Sequence, residues 1–377
     1  MEPEKLLIDN PNPIGTHMTE LIHFPWEGLR DAAISLCKAS GSPEGEANLV
    51  ASRLLKSNLV GHDSHGLIRL SMYMEWIRKG MIVPGATPEL AVDKGGIALV
   101  NGNRGYGQTI AERTMEIAIE RGRAHGVAAI GVTNLAHIGR LADYVISAAR
   151  AGLVGMVFTS TGGYSKIVAP FGGKSGRMST NPIAMALPSD REHPIVFDMA
   201  TSAYAEGKFR VFRDTGRSAP ENLLLDKEGH PTTNPDDFFN GGTILPLGGE
   251  QGYKGYLLNF MVEALGGLLT GGGYMGRDEN PLFNNCSLMI TIDVEAFRAM
   301  TDFKGDLEGL LHWLKDSPTH PGDEVLLPGE KEVRMEAERM RNGVPLAPKT
   351  VEALQAELDR YGVELALNSI ALNAPTP

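Results

Sequence analysis

The segment 61–76 carries a histidine, an arginine and a tyrosine at helical spacing. His65, Arg69 and Tyr73 stand at positions i, i+4 and i+8, so a single helix would present all three side chains on one face. An arginine can bind a carboxylate through two hydrogen bonds, and a histidine can pass a proton to an adjacent oxygen. These residue types therefore suit a small carboxylic acid. The alternative is a solvated helix face with ordinary polar residues.

Two further residues lie where an α/β fold binds ligands. His137 follows the apolar segment 127–132, predicted to be a buried strand, and open α/β sheets bind ligands where a strand ends and a helix begins. Lys254 lies in the first turn of the helix predicted for residues 253–269, where free N–H groups favour an anion. A core histidine and a solvent-facing lysine are the alternatives.

The elements that must position these residues follow from hydrophobic periodicity and capping signals. In the segment 61–76, the apolar stripe that would pack inward consists of Leu67, Leu70, Met74 and Ile77. The helix 253–269 is hydrophobic nearly all round and is predicted to be central and buried. The other predicted helices are two within 24–57, then 108–125, one that opens at 134–140, 201–212, 332–342 and 350–361. The predicted strands are 97–101, 127–132, 153–158, 183–187, 195–199, 287–294 and 324–327.

The distribution of these elements predicts how the chain is divided. Strands concentrate between residues 127 and 294 and helices dominate both ends, which predicts a central α/β lobe and a helical lobe formed by both chain ends. The predicted segments are a leader at 1–17 joined to a native start at Met18, the N-terminal part of the helical, substrate-binding lobe at 18–126, the α/β lobe at 127–295, and C-terminal helices that return to the first lobe at 296–377.

Composition excludes several classes of protein. The formal net charge of −11 makes nucleic acid or an anionic membrane a poor partner. No apolar run reaches the ~18 residues of a membrane helix. Two cysteines cannot form a disulfide framework, so a reducing cytoplasm is the expected setting. His62 and His65 lack a third ligand at metal-binding spacing, and no metal is expected.

Glycine-rich segments do not meet the known nucleotide-binding patterns. Residues 270–276 contain G-x-G-x-x-G, but they follow a predicted helix rather than a strand. Residues 171–177 contain Gly-Lys-Ser, but Val168 stands where a phosphate-binding loop needs its first glycine. Any dinucleotide would therefore be bound by a different fold.

Six motifs in order resemble the malate/L-lactate dehydrogenase family of NAD(P)-dependent oxidoreductases, which lacks a standard Rossmann domain. The motifs are 63–66 with Arg69 and Tyr73, 137–140, 180–184, 197–202, 252–255 and 327–330. Residues 58–66 look most like the hydroxycarboxylate dehydrogenases of that family. The resemblance implies an α/β fold in which a central mixed sheet flanked by helices forms a non-Rossmann NAD(P)-binding lobe at 127–295.

The resemblance also implies roles for individual residues. His65 and His137 match the two histidines given acid/base work, and Arg69 matches the residue that holds the substrate carboxylate, with Tyr73 nearby. The expected substrate contacts are Arg69, His137 and Thr161. The expected cofactor contacts are Thr180, Asn181, Pro182, Ile195, Val196, Phe197, Asp198, Met199, Ala200, Tyr253, Lys254, Gly329, Glu330 and Lys331.

The family's properties give the expected function and partners. They imply interconversion of a small 2-hydroxy acid and its 2-keto acid with NAD or NADP, NAD being preferred here, in a homodimer or larger homo-oligomer. Reduction of a cyclic imine carboxylate and a non-catalytic ligand-binding homologue are the alternatives. The chain departs from the family's pattern at Leu135-Ala136, Thr159-Ser160 and Ser179, all near the substrate, so the substrate's identity stays open.

Overall fold

The computed structural model of the chain describes residues 21–193, 195–214, 216–277 and 283–372. The leader predicted at residues 1–17 lies outside these ranges. The strands are β1 (Ile22–Phe24), β2 (Glu89–Lys94), β3 (Ile97–Asn101), β4 (Val127–Leu135), β5 (Leu153–Ser160), β6 (Ile183–Leu187), β7 (Ile195–Met199), β8 (Leu224–Leu225), β9 (Pro231–Thr232), β10 (Thr243–Ile244), β11 (Asn285–Asp293) and β12 (Val344–Leu346). The α-helices are α1 (Trp26–Ala39), α2 (Glu44–Leu59), α3 (Leu70–Arg78), α4 (Gly107–His125), α5 (Ala142–Arg150), α6 (Glu206–Asp214), α7 (Pro235–Phe239), α8 (Gly252–Glu263), α9 (Met300–Lys315), α10 (Glu330–Asn342) and α11 (Pro348–Arg360).

A seven-stranded sheet forms the centre of the molecule, with the order β2-β3-β4-β11-β5-β6-β7. β3 and β4 run parallel, whereas the other neighbouring strands are antiparallel, so the sheet is mixed. Helices α4 and α5 contribute to the apolar core that covers it. The expected central mixed sheet flanked by helices is confirmed. Strands β2 and β3 precede residue 127 and yet are hydrogen bonded into this sheet.

A second hydrophobic core combines both ends of the chain. It contains residues of α1, α2 and α3 together with Val351, Leu354 and Leu358 of α11. β1 pairs with β12 in an antiparallel two-stranded sheet, which ties residue 22 to residue 346. Apolar faces at helical spacing explain why these helices pack together, because each helix buries one stripe against the others.

Several predicted elements differ from the observed ones. Helix α9 was not predicted, because Gly305 and Gly309 interrupt its pattern, although Leu307 and Leu311 form its buried side. Residues 324–327 are not a strand, and the helix predicted from residue 201 begins at Glu206. Helix α5 begins at Ala142, so residues 136–141 form a loop between β4 and the helix.

Helix α8 was predicted to be central and buried, but much of its apolar surface is exposed. Its apolar residues include Leu257, Phe260 and Met261, which are 55%, 51% and 50% exposed. Its buried residues are Val262 and the polar residues Asn259 and Glu263, together with Gly252 and Gly255. The prediction was wrong for two reasons. An exposed apolar helix face can be covered by another molecule, so it need not be buried within this chain. The side chains of Asn259 and Glu263, in contrast, find their hydrogen-bond partners inside this chain and are therefore buried.

In the described part of the chain, no helix is both long enough and apolar enough to cross a membrane.

Candidate active site

The histidine-arginine-tyrosine segment is not the single helix that its spacing predicts. Residues Asp63–His65 and Leu67–Arg69 form two 3₁₀ turns, and α3 begins only at Leu70. Between the turns Gly66 is extended, with φ −88° and ψ −153°, and Asn58 Oδ1 accepts the N–H of Leu67 at 2.8 Å. The apolar stripe nevertheless packs inward as expected, since its members are buried or partly buried in the helical core: Leu67, Leu70, Met74 and Ile77.

A distant helix fixes the first of these turns. Arg339 of α10 donates to both carboxylate oxygens of Asp63, at 2.6 and 2.9 Å, and Asn58 Nδ2 donates to Asp63 Oδ1 at 2.7 Å. A two-point arginine–carboxylate contact restrains both position and orientation. The backbone that carries His65 is therefore fixed through Asp63 by a residue that lies 276 positions from Asp63 along the chain.

We expect Gly66→Ala to destabilise the fold, because a Cβ at this position would lie 2.2 Å from Asn58 Oδ1. The methyl group would displace the amide that caps the turn, and such overpacking typically costs about 1–3 kcal/mol. Urea unfolding measures the change. Gly45→Ala in α2 is the matched control, since its Cβ would meet open space and should leave stability unchanged or raised. Equal stability of both variants would contradict this account of Gly66.

The structure brings His65, Tyr73 and His137 together. The rings of His65 and His137 stack with centroids 5.6 Å apart and 17° between their planes. Tyr73 Oη lies 2.7 Å from His137 Nδ1, and Ser64 Oγ lies 3.0 Å from His65 Nδ1. Each imidazole thus has its Nδ1 held by a hydroxyl group, and among the described residues Nε2 has no hydrogen-bond partner.

Gln108, which the sequence predicts only as the start of a helix, extends this network. Its Nε2 donates to Tyr73 Oη at 2.8 Å, and both side chains are buried. The start of α4 lies directly against the histidine, since a Cβ on Gly107 would come within 2.2 Å of the His137 carbonyl oxygen. No motif in the sequence singles out Gln108, because its partner is 35 residues away.

Burial and positive neighbours keep both histidines neutral. Desolvation, followed by the charges of Arg69, His62 and Arg140, lowers the pKa of His65 to about 3. Desolvation, Arg69 and His65 lower the pKa of His137 well below its usual value. Desolvation also raises the pKa of Tyr73, so this phenol keeps its proton.

Arg69 is the cation best placed to receive an anion here. Its Nε donates to the carbonyl oxygen of Ser64 at 2.6 Å, which leaves both terminal guanidinium nitrogens for another partner. Within the described ranges, no carboxylate lies at ion-pair distance from it. Arg140, the other arginine that acts on His65, is instead paired with Asp143 at 2.7 Å.

Aromatic side chains form one wall beside His137. The ring of Phe283 lies 6.3 Å from the His137 ring, 4.7 Å from Trp76 and 5.1 Å from Tyr164, measured between centroids. Neither Phe283 nor Trp76 was predicted as a site residue. Thr161, the third expected substrate contact, follows β5, and its Oγ1 is buried without a partner in the described structure.

The expected cofactor loop 180–182 is attached to α8. Asn181 Nδ2 donates to Asn259 Oδ1 and to Glu263 Oε2, both at 2.8 Å, while Thr201 Oγ1 donates to the Asn181 carbonyl oxygen at 2.9 Å. Asn181 is fully buried with φ +35°, and its Oδ1 has no partner among the described residues. These three hydrogen bonds thus hold a strained residue and leave one acceptor unused.

Strand β7 and the start of α10 enclose a cavity. The cavity has a volume of about 380 Å³, and its lining includes Ile195, Gly329 and Glu330. Two of the segments expected to contact a cofactor therefore line the same cavity. Its two arginines are already paired, Arg191 with Glu308 and Arg334 with Glu324.

The remaining expected contacts are distributed along β7, α8 and α10. Asp198 Oδ2 accepts the N–H of Ala142 at 2.8 Å, and burial raises the pKa of its carboxyl group. Tyr253 and Lys254 occupy the exposed first turn of α8, where Tyr253 packs against Phe171. The other expected contacts in these elements are Val196, which is buried, Phe197, Met199 and Lys331, which are exposed, and Ala200, which is half-buried.

These residues fit a nicotinamide dinucleotide. The unused acceptor of Asn181 can receive an amide N–H, and a cavity of about 380 Å³ is large enough for a nucleoside. Among the described residues, no group of three or more histidine, cysteine, aspartate or glutamate side chains could hold a metal ion.

Comparison with known proteins gives relatives along almost the whole chain. The model of the malate/L-lactate dehydrogenase family matches residues 24–355. A malate dehydrogenase of Pyrococcus abyssi is 33% identical over 353 residues, which cover 91% of this chain and 96% of the relative. Hydroxycarboxylate dehydrogenase B of Escherichia coli K12 is 36% identical over 337 residues, which cover 88% and 92%.

Solved structures of similar proteins share the fold. The malate dehydrogenase of Entamoeba histolytica superposes with a TM-score of 0.86 at 28% identity, covering 92% of this chain and 99% of that one. The Δ1-piperideine-2-carboxylate reductase of Pseudomonas syringae gives a TM-score of 0.75 at 27% identity, covering 89% and 99%. Together with the family match, these similarities establish that the chain belongs to the malate/L-lactate dehydrogenase family of oxidoreductases.

Proposed function

We propose that this chain interconverts a small 2-hydroxy acid and its 2-oxo acid, with NAD as the first-choice cofactor. The observation that carries the proposal is the stacked His65–His137 pair beside Arg69, in which Tyr73 holds one nitrogen of His137. This arrangement combines an anion-binding group with a proton-transfer group, and the reaction needs both.

Arg69 would bind the substrate carboxylate through its two free terminal nitrogens. Desolvation is the largest cause of the lowered pKa of His137, and the positive charge of Arg69 is the next. The bound anion would offset the part that comes from Arg69, so the pKa rises when the substrate binds and proton uptake by the histidine becomes more favourable. Because the acid form is stabilised by the substrate's own charge, the free enzyme can keep the histidine neutral.

His137 would act as the acid and base. In reduction the protonated imidazole gives its Nε2 proton to the nascent alkoxide and keeps the proton on Nδ1. In oxidation the neutral imidazole with its proton on Nδ1 accepts the hydroxyl proton at Nε2. His65 stacks on one face of this ring and limits its rotation, with its own Nδ1 held by Ser64. The roles differ because the Nδ1 partner of His137, unlike that of His65, is a fully buried phenol.

The nicotinamide cofactor supplies or accepts the hydride. We propose that Asn181 and Thr180 hold the ring end, that Ile195 and the 329–331 turn hold the adenosine end, and that Lys254 binds a phosphate group. The two arginines of the cavity are already paired with carboxylates, so no free guanidinium awaits a 2′-phosphate. This supports NAD rather than NADP.

We propose that the substrate carries one carboxylate and an apolar side chain. The aromatic wall of Trp76, Tyr164 and Phe283 stands beside His137, and each buried methylene gains about 0.8 kcal/mol there. A second carboxylate would need a second free cation, whereas Arg140 is neutralised by Asp143.

A panel of acids with NADH and NADPH tests the proposal. We expect kcat/KM for 4-methyl-2-oxopentanoate or phenylpyruvate to exceed that for oxaloacetate by at least about tenfold, with NADH preferred. Phe283→Ala should reduce this preference, while Phe297→Ala, a change at an exposed phenylalanine, should not. A preference for oxaloacetate would contradict the apolar subsite.

Reduction of a cyclic imine is the second candidate. The similar structure named Δ1-piperideine-2-carboxylate reductase supports it, and such a substrate also pairs one carboxylate with an apolar ring. Turnover of piperideine- or pyrroline-2-carboxylate without turnover of any 2-oxo acid would select this reaction.

We propose that the enzyme is a cytoplasmic homodimer or larger homo-oligomer. The exposed face of α8 continues into Leu268 and Leu269, which are 52% and 67% exposed, and apolar patches of this kind commonly mark subunit interfaces. A light-scattering mass determination would test the assembly.

A further inference from the structure

The network behind Tyr73 contains an unused hydrogen-bond acceptor. Gln108 Nε2 donates to Tyr73 Oη, but Gln108 Oε1 is buried without a partner among the described residues. The Tyr73 oxygen in turn lies 2.7 Å from His137 Nδ1. His137, Tyr73 and Gln108 are therefore connected by hydrogen bonds, and the amide oxygen of Gln108 accepts none from the described residues.

The number of protons that these three groups carry fixes the direction of the hydrogen bonds between them. The phenol has one proton, and its oxygen already accepts from Gln108, so Tyr73 donates to His137 Nδ1. Neutral His137 then carries its proton on Nε2. When His137 is protonated, Nδ1 bears a proton as well and must donate to the Tyr73 oxygen. The phenol proton then needs another acceptor.

We propose that Gln108 is a positioning residue that lets the hydrogen bond between Tyr73 and His137 reverse during turnover. Rotation of its amide would present Oε1 to the phenol, which would donate to it while accepting from His137 Nδ1. After His137 gives its Nε2 proton to the alkoxide, the same arrangement leaves Nε2 free to accept a proton in oxidation. This inference rests on the proposed function, in which His137 transfers the substrate proton.

Burial makes the amide necessary. Tyr73 and Gln108 are 0% and 1% exposed, so solvent does not serve as the alternative acceptor for the phenol. The charged or titratable neighbours that act on His137 are Arg69 and His65, and Cys37 acts on Tyr73. Among the described residues, the hydrogen-bond partners of Tyr73 Oη are His137 and Gln108. Without Gln108, the protonated histidine would leave the phenol unsatisfied.

Nitrogen NMR of ¹⁵N-histidine-labelled protein without substrate or cofactor tests the hydrogen-bond direction. We expect wild type and Gln108→Met to hold neutral His137 as the Nε2–H tautomer. In Gln108→Glu, examined at a pH high enough to ionise the buried carboxyl group, the carboxylate can only accept, so Tyr73 should donate to it and His137 should carry its proton on Nδ1. The same tautomer in all three proteins would overturn the proposal, whether or not the enzyme turns over any acid on the panel.

Kinetics test the consequence for turnover. Gln108→Met should lower kcat about 10- to 100-fold with KM nearly unchanged, because the amide orients the histidine and does not touch substrate. The pH midpoint of the reductive reaction should move down in Gln108→Met and up in Gln108→Glu, separating the two by about one unit. If Gln108 only filled space, the pH midpoint would be the same in wild type, Gln108→Met and Gln108→Glu.

A double-mutant cycle completes the test. In a Tyr73→Phe background, Gln108→Met should have almost no further effect on kcat, because the glutamine acts through the phenol. Thermal unfolding of each variant identifies any loss of fold. Additive effects of the two changes in folded protein would contradict the proposal.

Discussion

His137→Ala is expected to lower kcat at least ~100-fold in both directions, since proton transfer by a positioned side chain contributes about 10²–10⁴-fold. The loss should appear in kcat more than in KM, because the imidazole acts on the oxygen that changes charge, whereas Arg69 holds the carboxylate. Steady-state rates with the best acid of the panel give the measurement. His65→Ala should also reduce turnover, but by a smaller factor, because its ring orients the catalytic one.

The control for this variant is His230→Ala. The side chain of His230 is 76% exposed, and this residue lies in the loop before β9. It should leave kcat unchanged. Circular dichroism and thermal unfolding would show that His137→Ala remains folded despite the phenol that it leaves without an acceptor. A folded His137→Ala protein with wild-type kcat would remove the histidine from the chemistry.

Arg69→Lys is expected to raise KM for 2-oxo acids about 10- to 100-fold with a smaller change in kcat. The lysine keeps the charge but loses the planar fork, and a charge-assisted hydrogen bond contributes about 1.5–3 kcal/mol. Its shorter reach also gives up the contact between Arg69 Nε and the Ser64 carbonyl oxygen, at 2.6 Å, which orients the guanidinium. Substrate saturation curves at fixed cofactor concentration measure the effect.

Arg113→Lys is the matched control, because Arg113 is 61% exposed and pairs with Glu116 on the outer face of α4. Its KM should equal that of wild type. If KM in Arg69→Lys also stays at the wild-type value, the carboxylate must bind elsewhere. Comparing KM for a 2-oxo acid with KM for the corresponding amide tests the same contact, since the amide carries no charge for Arg69 to recognise.

Local patterns determined most of the regular structure. The strands 97–101, 183–187 and 195–199 were predicted with their observed bounds, because short apolar runs between turn residues define a strand by themselves. Helices α1, α2 and α4 likewise follow from periodicity and from end signals such as Gly126, which has φ +80°. The family's motifs singled out both histidines and Arg69 as candidate site residues.

Two predictions failed where the deciding contacts were not local. The segment 61–76 has perfect helical spacing, yet the Asn58 amide caps Leu67 and breaks the helix at Gly66. Helix α8 is apolar nearly all round, yet its buried side was chosen by Asn259 and Glu263, whose partners lie on other elements. Periodicity describes one element and carries no information about which hydrogen-bond partners other elements bring.

The sequence by itself determined that this chain has a mixed α/β fold and the side chains of a hydroxy-acid oxidoreductase. Only the tertiary structure decided that Tyr73 binds His137, 64 residues away, that Gln108 stands behind both, and that Arg339 anchors Asp63 beside them. The physical reason is that residue type and spacing follow from covalent order, whereas a hydrogen bond between distant segments depends on how whole elements pack.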